Sequence, residues 1–354
     1  MNILARYISI IVINTVLVVL LVLMGLELLV SFIGQLSDIG TGNYTLWAAV
    51  KYILLDMPAQ LYVFFPMAGL VGSLLGLGVL ASQSELIVMR AAGYSTKQIA
   101  ASVLKAAFVL MIVAMILGEV VAPFCENYAN VSKTLAKSSG QALSTTRGLW
   151  IREGDNFIHV DTVINKRHLQ GVTTYVLNKK NELTTAFTAT KADFRNNQWE
   201  LTDVKQSIIT PTKIITKNIP TLQWNVKLDP TLLSISDKEP NGMSLPKLYS
   251  YINYLHDNGL RALNYQLDFW KRIMQPLATV VMIFLAVPFV FGSMRSMTVG
   301  VRILLGVTIG FCFYIFNQFV GSFSLLYQVP GYIAATIPTL VFMIIGFVLL
   351  ARAR

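Results

Sequence analysis

Long apolar runs at both ends of the chain enclose a middle stretch in which hydrophobic residues alternate with polar ones over short distances. About 20 consecutive apolar residues are needed to cross the hydrocarbon of a bilayer. The first run, Ile8 to Phe32, is interrupted only by Ser9, Asn14, Thr15 and one acid, Glu27. It is too long for a signal-peptide core and lacks a small-residue cleavage site, so it is expected to stay as a helix. Two more runs follow, Pro58 to Leu80 and Ile99 to Ala122, the latter stopping at Pro123. Three others lie near the end: Phe269 to Phe291, Val301 to Leu326 and Ile333 to Ala351. The pattern predicts six transmembrane helices.

From Gly148 to Leu228 the period changes to two. NFIHVDTVI, GVTTYVLN, LTTAFTATKADF, QWELTDVKQSIIT and TLQWNVKL read as strands by alternation and β-branched content. Turn signals separate them at Gly154-Asp155-Asn156, Asn178 to Asn181, Asn196-Asn197 and Pro211. Short strands so spaced predict an all-β, jelly-roll-like domain inserted into an α-helical membrane protein. The expected division is residues 1–125 for helices one to three, 126–262 for the β domain with flanking helices, and 263–354 for helices four to six. Glu126 to Lys137 reads as the third helix continuing out of the membrane. Ser244 is expected to cap a short helix, LPKLYSYINYLHD, that stops at Asn258-Gly259 with its aromatic face at the lipid interface.

Composition agrees: 55% of residues are hydrophobic and 13% charged, against about 25% charged in soluble domains. The net charge of +10 fits lipid headgroups better than nucleic acid in a chain with several spans. Arg6, Arg90, Lys97, Arg295, Arg302, Arg352 and Arg354 fall on one side of the predicted helices, whereas the short loops opposite offer Lys51 alone. The positive-inside rule then makes both termini cytoplasmic and translocates the middle domain. No GxxxxGK[ST] loop occurs, His159, His168 and His256 are scattered, and Cys125 and Cys312 suggest neither a disulfide framework nor a metal cluster. Catalysis has little to stand on, and a transporter or scaffold is the expectation, with no cofactor of its own.

One cytoplasmic segment carries a mechanism. Ser82 to Gln98 holds a short amphipathic helix begun by Ser84 and Glu85, continued by Leu86, Ile87, Met89 and Arg90, and stopped by Gly93. Such a helix docks in a groove of a nucleotide-binding subunit, with Glu85 meeting a basic residue there. The alternative is a helix lying flat on the membrane with Glu85 solvated.

The run FFPMAGLVGSLLGLGVLASQSELIVMRAAGY resembles the second span and coupling helix of the LptF/LptG family of lipopolysaccharide export permeases. GEVVAP at Gly118 to Pro123, GLWIREGDNFIHV at Gly148 to Val160 and FGSMRSMTVGVR at Phe291 to Arg302 extend the likeness over essentially the whole chain. GLW with its short turn and FIHV is nearer the LptG side of the family. The resemblance implies an inner-membrane subunit paired with an LptF-like permease, with two LptB-like ATPases below that bind the ATP and magnesium. It implies lipopolysaccharide drawn from the outer leaflet and passed to LptC-like and LptA-like periplasmic proteins. It makes Glu85 the coupling-helix acid.

Lys133 and Lys137 share a helix face, and in the family that region borders a cavity mouth where lipid A phosphates would sit; ordinary solvated lysines are the other reading. Several family members carry lysines at the end of the first span, where this chain has Ser37 and Asp38. Glu27 either meets a wet cavity or reaches the headgroups, and Glu119 lies similarly near the outer end of its helix. Phe64, Phe65, Phe311, Phe316 and Phe319 are candidates to line an acyl-chain cavity, or else face lipid or pack. The glycines at 69, 72, 76 and 78 predict close helix packing. A lipoprotein-releasing permease and a membrane-anchored scaffold are the rival functions.

Overall fold

The computed structural model describes residues 3–137, 149–154, 156–165, 167–178, 182–195, 198–210, 212–224, 243–291 and 298–352. Arg295, Arg354, Asp155, Pro211, the turn positions 179–181 and 196–197, and the end of the last expected strand lie outside them. Helices α1 (Ile3–Gln35), α2 (Leu46–Ser82), α3 (Glu85–Ala91), α4 (Thr96–Ile116) and α5 (Ala122–Lys137) precede the sheet, with a π-helical turn at Leu117–Val121 joining α4 to α5. After the sheet come α6 (Leu245–Asp257), α7 (Leu263–Phe291), α8 (Val299–Tyr327) and α9 (Gly331–Arg352). Among the described residues, six stretches are long and apolar enough to cross a membrane: α1 with its last turn, α2, α4 through α5, α7, α8 and α9.

Two spans run further than their apolar runs. Pro58 reads as a first-turn residue, yet α2 starts at Leu46, where the Thr45 side chain accepts from the Ala48 amide (3.4 Å). Pro123 ends the apolar run, but the π turn just before it widens the helix, which continues to Lys137 as expected of Glu126 to Lys137. The cost of an interior proline is a lost amide donor and an orphaned carbonyl four residues back. At one crossing the orphans are exchanged. Pro66 in α2 frees the Tyr62 carbonyl, which accepts from the Gln275 side chain of α7 (3.3 Å). Pro276 in α7 frees the Arg272 carbonyl, which accepts from the Tyr62 hydroxyl (2.9 Å). Each helix thus repairs the other's proline defect, as hydrocarbon requires of any exposed backbone group. Gly118, in the π turn, leaves room for the Tyr62 ring; a β-carbon there would lie 2.5 Å from it.

The expected glycine packing is present, and α2 spends it on three neighbours. A β-carbon at Gly72 would come within 2.5 Å of the Val16 α-carbon, and one at Gly76 within 2.6 Å of Thr15, both on α1. Gly69 faces Ile283 of α7, and Gly78 faces the guanidinium of Arg302 on α8. Arg302 is only 2% exposed and donates to the Gly78 carbonyl. In return α1 buries one stripe, Ile8, Val12, Val16, Leu20 and Met24, leaving its other faces open. The first four join α2, α4, α7, Phe313 and Phe342 in one core.

The inserted domain is a six-stranded antiparallel sheet in sequential order: β1 (Leu149–Glu153), β2 (Asn156–Asn165), β3 (His168–Leu177), β4 (Leu183–Arg195), β5 (Gln198–Ile209) and β6 (Ile214–Trp224). Four expected strands are met, β6 begins earlier than expected, and β1 was too short to signal itself. The sheet curls over its own core. Phe187 is level with Lys217 of β6 through Gln206, so Trp224 sits seven residues further along, about 23 Å in a flat sheet. Their rings nevertheless meet edge-on at 6.1 Å.

Helix α6 ties this domain to the spans. Its N-cap Ser244 makes no side-chain cap; instead the Leu245 amide donates to the Glu119 carboxylate (3.1 Å). At its far end Asn258 accepts from the Gly154 amide in the β1–β2 turn (3.0 Å). Its aromatic face packs inward rather than lying open at a lipid interface: Tyr251 meets Tyr265 edge-on at 4.8 Å and stacks on Tyr254, although Tyr249 remains exposed. Burial pushes the Tyr254 phenol up, helped by the charge of Glu153.

Replacing Tyr62 by Phe, or Gln275 by Leu, leaves a carbonyl orphaned and is expected to cost about 1–3 kcal/mol. The double variant should cost measurably less than the sum. Equilibrium unfolding in detergent checks both figures.

Candidate functional site

Two clusters sit at opposite ends of the continuous helix Thr96–Lys137. The first is α3, wedged between the ends of α2 and α4. Ser84 precedes it in a left-handed conformation (φ 61°) with no side-chain cap. Gly93 (φ 90°) ends it as only a residue without a β-carbon does cheaply. The Tyr94 amide reaches the Met89 carbonyl (2.9 Å) and the Gly93 amide that of Arg90 (3.0 Å), satisfying two terminal acceptors.

The seven residues of α3 split into two faces. Leu86 (3% exposed) and Met89 (7%) turn inward and join the core of the spans. Ile87 and Val88 point outward, with Val88 65% exposed, and Arg90 is exposed beside them. Leu86 and Met89 therefore hold the helix to the bundle, and the outer surface belongs to Ile87, Val88 and Arg90. Glu85 is half-buried and accepts from the Tyr7 hydroxyl of α1 at 3.4 Å. Sequence reading placed Ile87 in the helix without its outward direction and missed Tyr7 and Val88. The apolar pair was visible, but a seven-residue helix with apolar residues on two sides does not announce which side faces the bundle.

The second cluster joins the end of α1, the turn after it and α5. Asp38 receives both lysines, with Lys133 Nζ on Oδ2 (2.9 Å) and Lys137 Nζ on Oδ1 (2.7 Å). Lys133 also donates to Gln35 Oε1 (2.7 Å) and lies over the Tyr52 ring at 4.6 Å. Tyr44 donates to the same Gln35 oxygen (3.1 Å). Burial first, and then the charge of Asp38, push the Tyr44 phenol up, so it remains a donor. The Asn43 amide supplies the Ala136 carbonyl (2.7 Å), one of the terminal acceptors of α5. Gly42 passes so close that a β-carbon would overlap the Lys137 carbonyl. The two lysines expected to meet phosphate are thus paired internally with the residue that replaces lysine in the resemblance.

The remaining candidates do not gather in one place. Phe65 is 1% exposed in the core of the bundle, Phe316 packs against that core, and Phe64 is half-buried. Phe311 (55% exposed) and Phe319 (64%) lie open on α8. Phe319 continues into an aromatic ladder at every fourth residue, stacking on Phe323 (6.2 Å), which meets Tyr327 (4.3 Å). That spacing was legible in the sequence and was passed over. Glu27 accepts from Ser31 (2.9 Å) one turn along its own helix. Glu119 is taken up by the start of α6 rather than by the headgroup region. Among the described residues no group of three or more His, Cys, Asp or Glu is placed to hold a metal.

Leu86→Ala is expected to loosen α3 by about 2–4 kcal/mol and expose the loop to protease. Val88→Ser should change stability by less than about 0.5 kcal/mol. Limited proteolysis of the purified protein measures both.

Comparison with known proteins covers the full length. The family profile described as lipopolysaccharide export system permease LptF/LptG matches residues 6–352. The lipopolysaccharide export system permease protein LptG of Escherichia coli strain K12 is 37% identical over 354 residues, 99% of this chain and 98% of that protein. The protein of the same name from Haemophilus influenzae strain Rd is 36% identical over 355 residues, covering 100% of this chain and 99% of the other.

Proposed function

The chain belongs to the LptF/LptG family of lipopolysaccharide export system permeases, and on that premise we propose that it is the LptG-type subunit of an ATP-driven lipid extractor. It is a permease and not itself an enzyme. In this reading it sits in the inner membrane beside an LptF-like permease, above a pair of LptB-like ATPases that bind the ATP and magnesium. Lipopolysaccharide is taken from the outer leaflet and passed to LptC-like and LptA-like proteins of a periplasmic bridge.

The observation that carries the coupling role is the two-faced helix α3. Transmission of force from a separate motor needs a rigid grip on the spans and a free face for the motor. Leu86 and Met89 supply the grip, and Ile87, Val88 and Arg90 supply the face. Burying exposed apolar side chains such as Val88 in a partner groove contributes about 25 cal/mol per Å². Glu85, within reach of Tyr7, ties the same helix to the start of α1 and is available to exchange that weak bond for a cation on the motor.

Orientation follows from the same segment. Arg6, Arg90, Lys97 and Arg352 cluster by sequence at the end that carries α3, which makes that end cytoplasmic and the sheet periplasmic. Phe311 and Phe319, open on α8, are then placed to meet acyl chains or the partner permease. Phe64 is half-buried, Phe316 packs against the core and Phe65 lies within it, which supports a packing role for these three.

Reconstitution of the complex in liposomes tests this reading. Glu85→Lys should leave the subunits assembled but reduce ATP-driven lipid release at least tenfold. Undiminished release by that variant would remove Glu85 from the coupling machinery. A complex that co-purifies but shows no nucleotide-dependent release at all would favour a membrane-anchored bridge instead.

A further inference from the structure

The outer end of α1 carries an acid where the two lysines of α5 would receive an anion. One ammonium lies on each oxygen of the Asp38 carboxylate, 2.9 Å and 2.7 Å away. Two cations sharing two oxygens of a single centre is also how a phosphate monoester is held. The three side chains keep between 20% and 35% of their surface open, so the seat is accessible from outside. Its two sides differ in stiffness. The lysines project from the regular helix α5, and Lys133 is held further by Gln35 and the Tyr52 ring. Asp38 lies in a three-residue 3-10 turn, Leu36–Asp38, that buries none of its residues, followed by Gly40 (φ 92°) and Gly42 (φ 57°). An incoming anion would move the acid, not the lysines.

We propose that Asp38 is a built-in competitor for the phosphorylated headgroup of lipopolysaccharide, occupying the Lys133–Lys137 pair in the empty permease and yielding it to phosphate. The proposal rests on the substrate reading above. A phosphate carries about −1.5 to −2 charges at neutral pH against −1 for the carboxylate, which lets it win. The competition lowers apparent affinity by the fraction of time the seat is free. For a pair of partly exposed ion pairs that is a factor of roughly three to ten. The acid thus sets selectivity: lipids without phosphate gain nothing from displacing it.

The test is equilibrium binding of lipid A to the assembled complex, with bis-phosphorylated and phosphate-free lipid A of the same acylation. Asp38→Asn should bind the phosphorylated form about three- to tenfold more tightly and the phosphate-free form unchanged. Weaker or equal binding of the phosphorylated form would make Asp38 a mere staple, and an equal gain for both lipids would mean altered shape; either overturns the proposal. Should that variant fail to assemble, hydrogen exchange on the unaltered complex decides. Phosphorylated lipid A should speed exchange in residues 36–44, while phosphate-free lipid A and inorganic phosphate alone should not. Unchanged or slower exchange with the phosphorylated lipid would overturn the competition, as would an equal acceleration by inorganic phosphate alone, which would make the site one for free phosphate. Binding of neither lipid by the unaltered complex would sink the substrate reading itself.

Discussion

Every backbone polar group in hydrocarbon must find a partner inside the protein, and this chain meets that demand at its most awkward point by an exchange between two helices. Pro66 and Pro276 each orphan a carbonyl, and Gln275 and Tyr62 answer them across the α2–α7 contact. The exchange fixes the height at which the two helices cross. It also buries the Tyr62 ring on Gly118, which brings in the third span at its π turn. Three of the six spans are therefore registered against one another by a handful of polar atoms, and the glycines of α2 let α1 and α8 close in around them.

From that fixed centre one helix reaches both candidate clusters. Thr96–Lys137 is 42 residues long, about 63 Å at 1.5 Å per residue, well beyond the about 30 Å of hydrocarbon. It begins where α3 ends and finishes at the lysines bound to Asp38. Helix α1 runs alongside, meeting α3 at one end through Tyr7 and Glu85 and the long helix at the other through Gln35 and Lys133. The sheet is connected by a separate route, through Glu119 at one end of α6 and Asn258 at the other. One continuous helix joins the α3 end of the bundle to the lysines bound to Asp38, and the π turn beside Glu119 is where the contact to the sheet branches off.

Much of this architecture was legible because its cause is local. Hydrophobic length fixed the spans, period-two alternation fixed β2 to β5, and Gly93 marked the end of α3. Pro58 looked like a boundary because Lys51 and Asp56 break the apolar run before it, although the helix starts at Leu46. The other failures share a different cause. Lys133 and Lys137 were seen as a pair, and Asp38 was seen as a departure, yet nothing local reveals that the three meet. Phe65 and Phe319 are chemically alike, and only the packing of α2 against its neighbours separates a core residue from an open one.

The account turns on α3 and the sheet lying across the bilayer from each other. Native Cys125 and Cys312, both free thiols, would be replaced by serine, and single cysteines placed at Val88 and at Trp150, both exposed. A membrane-impermeant maleimide applied to intact spheroplasts should label position 150 at once and position 88 only after the membrane is opened. Equal labelling of both before permeabilisation would contradict the account.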